Sequence, residues 1–314
     1  MSSEKIYYLF GQTQGTTYSI KYIYSDSIVS KNEIEEQLNF IDQSLSLYNN
    51  QSLISSFNKS KRGVICDTHL KNVVSASLDI YDKSKHRFDI TCKPLSEIWG
   101  FNNISKILHP SSQLINQTLS IIGSHNIYFR GDSLIKKNPF IKIDCDGIAQ
   151  GYSVDILSNF IQNKGISNFI VEIGGEVRSA GTNFENKPWT VGIENPDASI
   201  DDIFLLNNIV EISNKAITTS GSYRKYKKIG NQYFSHIIDP VKGRPVNNGI
   251  IAVTVIAEDA MTADGWDNAF MVLGIKDSFK LLESLSDMGV NFIYRDKQGN
   301  IADTCNTYFK KFSQ

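Results

Sequence analysis

The chain has 314 residues, of which 41% are hydrophobic and 21% are charged, a balance typical of a globular enzyme with a sizeable core. Its 32 basic and 33 acidic residues give a net charge of −1, and this near-neutral balance argues against nucleic acid as a partner. No apolar run approaches the roughly 20 residues that span a bilayer, and the segment MSSEKIYYLF lacks the features of a signal peptide. We therefore expect a soluble protein without a transmembrane segment.

The cysteines do not form a recognisable site. The sequence has neither a CxxC pair nor a histidine at ligand spacing from a cysteine, and the four residues are scattered: Cys66, Cys92, Cys145 and Cys305. This pattern predicts neither a zinc site nor a disulfide framework. We expect buried or unreactive thiols.

The N-terminal part predicts a hairpin followed by helices. Residues 5–24 read as two strands around the polar connector 11–16, in which Gly15 permits a close backbone approach. Ser30 and Glu33 have the spacing of a capping box, and apolar residues recur after them at helical intervals. A further apolar stripe predicts a helix over residues 68–83.

Aromatic side chains stand at two turns. Tyr48 precedes an Asn-Asn turn, where its ring either covers the core or stacks on a planar ligand, and its position favours the core. Trp99 and Phe101 flank Gly100, which has no side chain. That arrangement fits a planar ligand held against a loop, or hydrophobic packing of the loop itself.

Residues 141–157 predict a strand, a tight turn at Gly147 and a helix whose N-terminus faces the end of the strand. Such a terminus offers free N–H groups and partial positive charge, so it is an anion site for which phosphate is the natural occupant. Asp146 and Asp155 fit a role in this site and fit a role as caps or surface acids equally well.

The second half of the chain is rich in strands. Alternation and turn residues predict a helix over 276–286 and strands over 168–173, 177–181, 189–194, 204–213, 250–257, 290–295 and 301–309. Ser220 and Gly221 precede Arg224 in a hydroxyl-rich segment. Hydroxyls and exposed N–H groups beside a cation fit a phosphate or a ribose, and an ordinary Ser/Gly turn is the alternative.

His236 is the histidine best placed for chemistry. It lies in a strand-to-loop segment between Ser235 and Asp239, where an imidazole could reach a ligand and exchange protons near neutral pH. A structural histidine is the alternative.

Residues 258–274 predict a helix with an acidic first turn. If Thr262 is the N-cap, then Asp264, Asp267 and Asn268 share one face, while an apolar stripe is buried and the acidic end stays near the surface. Carboxylate and amide oxygens suit Mg²⁺ better than Zn²⁺. The alternative is that these acids merely complement the helix dipole.

Eight motifs, in a fixed order over residues 15–274, together resemble the ApbE family of FAD:protein FMN transferases: GTTYSIKY, LSLYNNQSLISSFN, FDITCKPLSEIWGF, GIAQGYSVD, VEIGGE, ITTSGSYRKY, SHIIDP and MTADGWDNAFMVLG. The resemblance implies an α+β fold of mixed and antiparallel sheets flanked by helices. It also implies a single flavin transferase domain over residues 1–314, built from two closely joined subdomains.

Position by position, the resemblance implies three groups of site residues. His236 would act as the base on the acceptor hydroxyl. The flavin nucleotide would contact Gln14, Gly15, Tyr48, Trp99, Gly100, Phe101, Asp146, Ser220, Gly221 and Ile238. The metal would be held by the carbonyl of Ala149 and by Asp264, Asp267 and Asn268; the family usually has a threonine at the position of Asn268.

The implied reaction is the Mg²⁺-dependent transfer of FMN from FAD to a Ser or Thr hydroxyl of an acceptor flavoprotein, with release of AMP. The acceptor is expected to be a membrane-associated electron-transfer subunit, and the protein is expected in the cell envelope. Two alternatives remain: hydrolysis of FAD to FMN and AMP at the same site, and a flavin-binding protein without turnover.

Overall fold

A computed structural model describes residues 4–101, 110–194, 206–222, 226–229 and 232–313. The helices are α1 Lys31–Leu45, α2 Leu53–Lys59, α3 Thr68–Lys83, α4 Lys93–Ile98, α5 Ser112–Leu119, α6 Asp146–Asn163, α7 Ala260–Leu273 and α8 Ile275–Leu282. The first strands are β1 Lys5–Thr13, β2 Thr16–Tyr24, β3 Gly63–Ile65, β4 Ile127–Arg130, β5 Ser133–Lys136, β6 Asn168–Ile173, β7 Glu176–Ala180 and β8 Trp189–Glu194. They are followed by β9 Leu206–Ile212, β10 Ala216–Gly221, β11 Tyr226–Ile229, β12 Gln232–Ser235, β13 Ile238–Asp239, β14 Arg244–Pro245, β15 Ile250–Ala257, β16 Gly289–Arg295 and β17 Ile301–Cys305.

An antiparallel sheet of eight strands, in the order β1-β2-β6-β7-β10-β15-β16-β17, forms the centre of the fold. Strand β15 is buried along its whole length, with Val253 and Val255 in one core cluster and Ala252 and Ile256 in another. Helices α6 and α7 pack on each other and against the central strands, while the β8–β9 ribbon contributes to the core on the other side. The expected α+β class is confirmed.

Several elements match the sequence pattern closely. The capping box of Ser30 and Glu33 is present, and helix α3 covers residues 68–83 as expected. Strands β6, β8 and β15 also have the expected bounds. The four cysteines are free thiols; Cys145 is buried and the other three are half-buried.

Other predictions were wrong. Residues 141–144 are not a strand: the Asn58 side chain donates to the Ile143 carbonyl at 2.9 Å and accepts from its N–H at 2.7 Å, so a side chain replaces the neighbouring strand. Ser220 and Gly221 end strand β10 rather than forming a turn. Helix α8 ends at Leu282, earlier than the pattern indicated. Arg224 lies outside the described residues.

Candidate active site

One cleft, with a volume of about 590 Å³, collects most of the predicted site residues. Its lining comes from the β1–β2 turn, the loops after α1 and α3, the start of α6, the end of β10, the segment after β12, and α7. Twelve of the fifteen predicted positions line it: Gln14, Gly15, Tyr48, Phe101, Asp146, Ser220, Gly221, His236, Ile238, Asp264, Asp267 and Asn268. Trp99, Gly100 and Ala149 are not part of the lining.

The aromatic residues are arranged differently from the prediction. Trp99 is only 4% exposed and packs with Leu95 and Ile115, and its indole N–H donates to the Gly243 carbonyl at 2.9 Å. It therefore does not line the cleft, and Phe101 does so instead. Tyr48 is 93% exposed, so the expectation that it covers the core was wrong. An open ring at the mouth of the cleft is available for stacking on a planar ligand.

Helix α7 starts earlier than the sequence indicated, and its acidic residues are buried. The N-cap is Asp259, which accepts from the Thr262 N–H at 2.7 Å, so Thr262 lies inside the helix. The N–H groups of Ala260 and Met261 donate to Asp155 of α6 at 2.9 and 2.8 Å. A carboxylate from the neighbouring helix thus satisfies two of the four free donors of the first turn. This lateral anchoring could not be read from residues 258–274 alone.

Asp264 and Asp267 are 4% and 1% exposed, so the expectation of an acidic end near the surface was wrong. Asp264 accepts from the Gly151 N–H at 2.9 Å, and Asp267 accepts from the Thr218 hydroxyl at 2.7 Å. A Cβ at Gly151 would lie 2.2 Å from the Ala260 carbonyl oxygen. Glycine is therefore required where α6 and α7 meet, and this close approach places Asp264 against the backbone of α6.

Burial governs the ionisation of these acids. Burial, with the Asp146 and Asp155 charges nearby, raises the pKa of Asp264 to about 7. Burial and the charge of Asp264 raise the pKa of Asp267 well above its usual range. Burial also raises the pKa of Asp155 to about 6, against the opposing effect of Arg178, whose guanidinium lies 2.7 Å away. A cation between Asp264 and Asp267 would relieve the cost of keeping both ionised.

The donor chemistry fits a hard cation. No cluster of three or more His, Cys, Asp or Glu side chains is arranged for a metal within the described part of the chain. The alternative set is two carboxylates, the amide of Asn268 and a backbone carbonyl, all of them oxygen donors of the kind that Mg²⁺ prefers. The Ala149 carbonyl already accepts from the Ser153 hydroxyl at 2.8 Å. The Gly147 carbonyl also accepts a hydrogen bond, from the Asn268 amide nitrogen at 3.3 Å, so these contacts do not distinguish the two carbonyls as metal ligands.

The start of α6 forms the floor of the cleft. The helix begins at Asp146, whose N–H donates to the Asp144 side chain at 3.0 Å, and Gly147 departs from helical geometry with φ −85° and ψ 19°. The β1–β2 turn reaches this helix, because the Gln14 amide donates to the Ser153 hydroxyl at 2.7 Å. Gln14 itself has φ +51°, in the left-handed region, and lines the cleft. Phosphate binding at this helix start stays a prediction.

Loop residues form a second part of the lining. His236 lies between β12 and β13 and lines the cleft, as do Arg87 and Asp89. The Arg87 guanidinium is 2.9 Å from both carboxylate oxygens of Asp239, which is three residues after His236 and almost fully buried. Sequence reasoning missed this pair because its members are 152 positions apart. The only local signal pointed elsewhere, because Lys242 lies three residues after Asp239 and its ammonium is 3.2 Å from the same carboxylate.

Comparison with known proteins identifies relatives over nearly the whole chain. The profile of the ApbE family matches residues 14–292. The FAD:protein FMN transferase of Vibrio cholerae serotype O1 is 34% identical over 312 residues, which is 97% of this chain and 92% of the relative. That of Escherichia coli K12 is 34% identical over 281 residues, 85% of this chain and 78% of the relative.

Solved structures agree with the sequence matches. The flavin transferase ApbE from Vibrio cholerae superposes with a TM-score of 0.87 at 32% identity, covering 99% of this chain and all of that one. The flavinyl transferase ApbE of Pseudomonas stutzeri, in its apo form, has a TM-score of 0.88 at 30% identity, with 98% and 96% coverage. The chain belongs to the ApbE family.

Proposed function

We propose that this protein transfers FMN from FAD to a Ser or Thr hydroxyl of an acceptor flavoprotein in a Mg²⁺-dependent reaction that releases AMP. The observation that carries the proposal is the shared cleft, which is lined both by the buried carboxylates Asp264 and Asp267 and by His236. The relatives, which are named FAD:protein FMN transferases, support the same reaction.

In this proposal the chain's own residues position the reactants. The exposed ring of Tyr48 and the side chain of Phe101 offer surfaces for planar rings, and the start of α6 offers backbone N–H groups to a pyrophosphate. Asp264, Asp267, Asn268 and the Ala149 carbonyl would hold Mg²⁺, which would neutralise the charge that develops on the phosphate oxygens. Phosphoryl transfer needs this positioning more than it needs covalent help.

His236 would take the proton of the acceptor hydroxyl. The hydroxyl oxygen forms a bond to the phosphorus of the FMN moiety, the pyrophosphate P–O bond breaks, and AMP leaves with the bond electrons. A neutral imidazole at pH 7 can accept this proton, a contribution of about 10²–10⁴-fold in rate. The Arg87–Asp239 pair would hold the loop that carries His236 in place.

The acceptor and the location are part of the same proposal. An electron-transfer subunit associated with a membrane would present its hydroxyl at the open mouth of the cleft, and the protein would work in the cell envelope. Within the part of the chain that the structure describes, no helix has the length and apolar character needed to cross a membrane.

Mass spectrometry of the acceptor tests the transfer. A flavoprotein domain with a Ser or Thr acceptor is incubated with this protein, FAD and Mg²⁺, and then denatured; the same domain with that residue changed to alanine is the control. A covalent gain equal to FMN minus water, absent in the control, is expected. If FAD is consumed and the acceptor gains no mass, the activity is hydrolysis of FAD and not transfer of FMN. FAD bound and intact with several acceptors would indicate a protein that only binds flavin.

A further inference from the structure

The side-chain amide of Asn268 lies among four oxygen atoms. Its nitrogen is 3.0 Å from Asp267 Oδ1, 3.0 Å from the Asp264 carbonyl oxygen, 3.3 Å from the Gly147 carbonyl oxygen and 3.5 Å from Asp264 Oδ1. The amide oxygen points the other way and accepts from the Ser220 hydroxyl at 3.3 Å. The NH₂ group has two hydrogens, so they are shared among these four acceptors.

This orientation satisfies the electrostatics of the pocket. Two of the four oxygens belong to carboxylates that are almost fully buried, and the positive edge of the amide faces them. A reversed amide would place its oxygen against the same four oxygens, which is repulsive unless a cation or a carboxyl proton lies between them. The two orientations of one side chain therefore suit two different occupants of the pocket.

Gly147 provides the room for this side chain. Its φ of −85° is open to any residue, so its backbone conformation does not require glycine. A Cβ at this position would lie 3.2 Å from the Asn268 amide nitrogen and 3.4 Å from its Cγ. The absence of a side chain at Gly147 thus leaves space in which the amide can turn over.

We propose that Asn268 is an exchangeable stand-in for the cation: its NH₂ group holds the Asp264 and Asp267 carboxylates together until a divalent cation displaces it, and its oxygen then faces the cation. The inference rests on the cation site of the proposed function and adds a residue that sets the affinity of that site. Because the cation must displace the amide, Asn268 weakens cation binding and stabilises the cation-free protein.

The test uses Mg²⁺ alone, with neither FAD nor an acceptor. Thermal unfolding is measured in chelator and in excess Mg²⁺, and Mg²⁺ binding is measured by calorimetry, for the wild type and for Asn268→Asp. The new carboxylate can bind a cation but cannot donate to Asp264 or Asp267. Asn116→Asp, at an exposed position on α5, makes the same change of charge away from the site and is the control.

In chelator we expect Asn268→Asp to unfold about 3 °C or more below the wild type, because the buried carboxylates lose their donor and gain a like charge. Mg²⁺ should raise its unfolding temperature more than that of the wild type and bind at least about tenfold more tightly. An unchanged unfolding temperature in chelator, or Mg²⁺ binding no tighter than in the wild type, would overturn the proposal. Asn116→Asp should follow the wild type in both measurements.

Two further measurements serve if Asn268→Asp does not fold. Asn268→Leu keeps the shape of the side chain without its donors, and in chelator it should also unfold at a lower temperature than the wild type. In the wild type, the side-chain NH₂ signals that disappear in this variant should shift and exchange faster with solvent when Mg²⁺ is added. Signals that do not respond to bound Mg²⁺ would contradict the exchange. A failed FMN transfer assay would leave all of these outcomes unaffected.

Discussion

Two sets of residues line the cleft, and these two sides are built in different ways. One side is made by α6 and α7, whose side chains are fixed by buried hydrogen bonds: Asp155 to the first turn of α7, Gly151 to Asp264, and Thr218 to Asp267. The other side is made by loops, and His236 and Tyr48 there are partly or largely exposed. Its strongest described tie is the ion pair of Arg87 with Asp239.

This difference predicts that substitutions on the two sides change different properties of the protein. Buried carboxylates with raised pKa values destabilise the fold unless they are neutralised, so substitutions on the helical side should change stability and cation binding together. An exposed loop side chain contributes little to stability. Substitutions on the loop side should therefore change the rate and leave cation binding alone.

The largest effect is expected from Asp264→Asn on the helical side. FMN transfer should fall by about 10³-fold, because the cation contributes several kcal/mol to the transition state. Transfer by the wild type should likewise stop in excess chelator, and persistence there would contradict the site. The control is Asp277→Asn, the same change at an exposed position on α8, which should leave transfer unchanged.

The same variant has a distinct pH signature. The pKa of Asp264 is raised from 3.8 to about 7, so the folded chain binds this proton more tightly than the unfolded chain. In chelator the contribution of Asp264 to the free energy of unfolding is therefore present below its ordinary pKa and is lost as the pH rises through about 7. Asp264→Asn should lack that decline when unfolding by denaturant is followed across this range, whereas Asp277→Asn should keep it.

On the loop side, His236→Ala should give the second largest loss of FMN transfer. Without the base, the rate of transfer should fall by about 10²–10⁴-fold. The free energy of unfolding should change by less than about 1 kcal/mol, and Mg²⁺ binding by calorimetry should be unchanged. A variant that transfers FMN at the wild-type rate would remove His236 from the mechanism. Loss of Mg²⁺ binding would contradict the expectation that substitutions on the loop side leave cation binding unchanged.

Arg87→Met should show a smaller, mixed effect. Among the described residues, the variant leaves buried Asp239 only the Lys242 ammonium at 3.2 Å and two backbone N–H groups, so it should cost about 2 kcal/mol of stability. Displacement of the loop that carries His236 should lower transfer by about tenfold. Lys242→Met removes the exposed partner of the same carboxylate and should cost less than about 1 kcal/mol. Equal costs for the two variants would refute the role of Arg87 as an anchor.

For the helical side, the sequence predicted which residues share a face but not that they are buried. Helical spacing placed Asp264, Asp267 and Asn268 on one face, because that relation is local. Their burial was missed, since it comes from the glycine contact of α6 with α7 and from Asp155, which lies more than a hundred positions from the residues it caps.

On the loop side, local patterns gave little. Trp99 and Phe101 look equivalent in the sequence. The indole packs with Leu95 and Ile115 and donates to the carbonyl of Gly243, which is distant in the chain, while Phe101 lines the cleft. Tyr48 was misassigned for the same reason, because nothing nearby in the chain reports what its ring faces. The site residues of this side were predicted from the order of the eight motifs together, and no single motif identified them.

The smallest effect is expected for Lys136→Met, which changes a residue that contacts the segment leading into α6. The Lys136 ammonium is buried and donates to the carbonyl oxygens of Phe57 and Ile141 at 2.8 and 2.7 Å, so it supports the irregular segment that leads into α6. Burial, with the nearby Lys142 charge, lowers its pKa from 10.5 to about 8. Between about pH 8 and pH 10.5 the unfolded chain binds more protons than the folded chain, so the contribution of Lys136 to stability rises with pH.

The stability of the wild type relative to Lys136→Met should therefore increase by about 1 kcal/mol between pH 8 and pH 9, as measured by denaturant unfolding. Lys61→Met, at an exposed position, should show no such change. If the difference between wild type and Lys136→Met stayed constant over this interval, the ammonium would titrate as in the unfolded chain. The segment before α6 would then be held by packing rather than by a buried donor, and the helical side of the cleft would depend on polar contacts less than the comparison of the two sides implies.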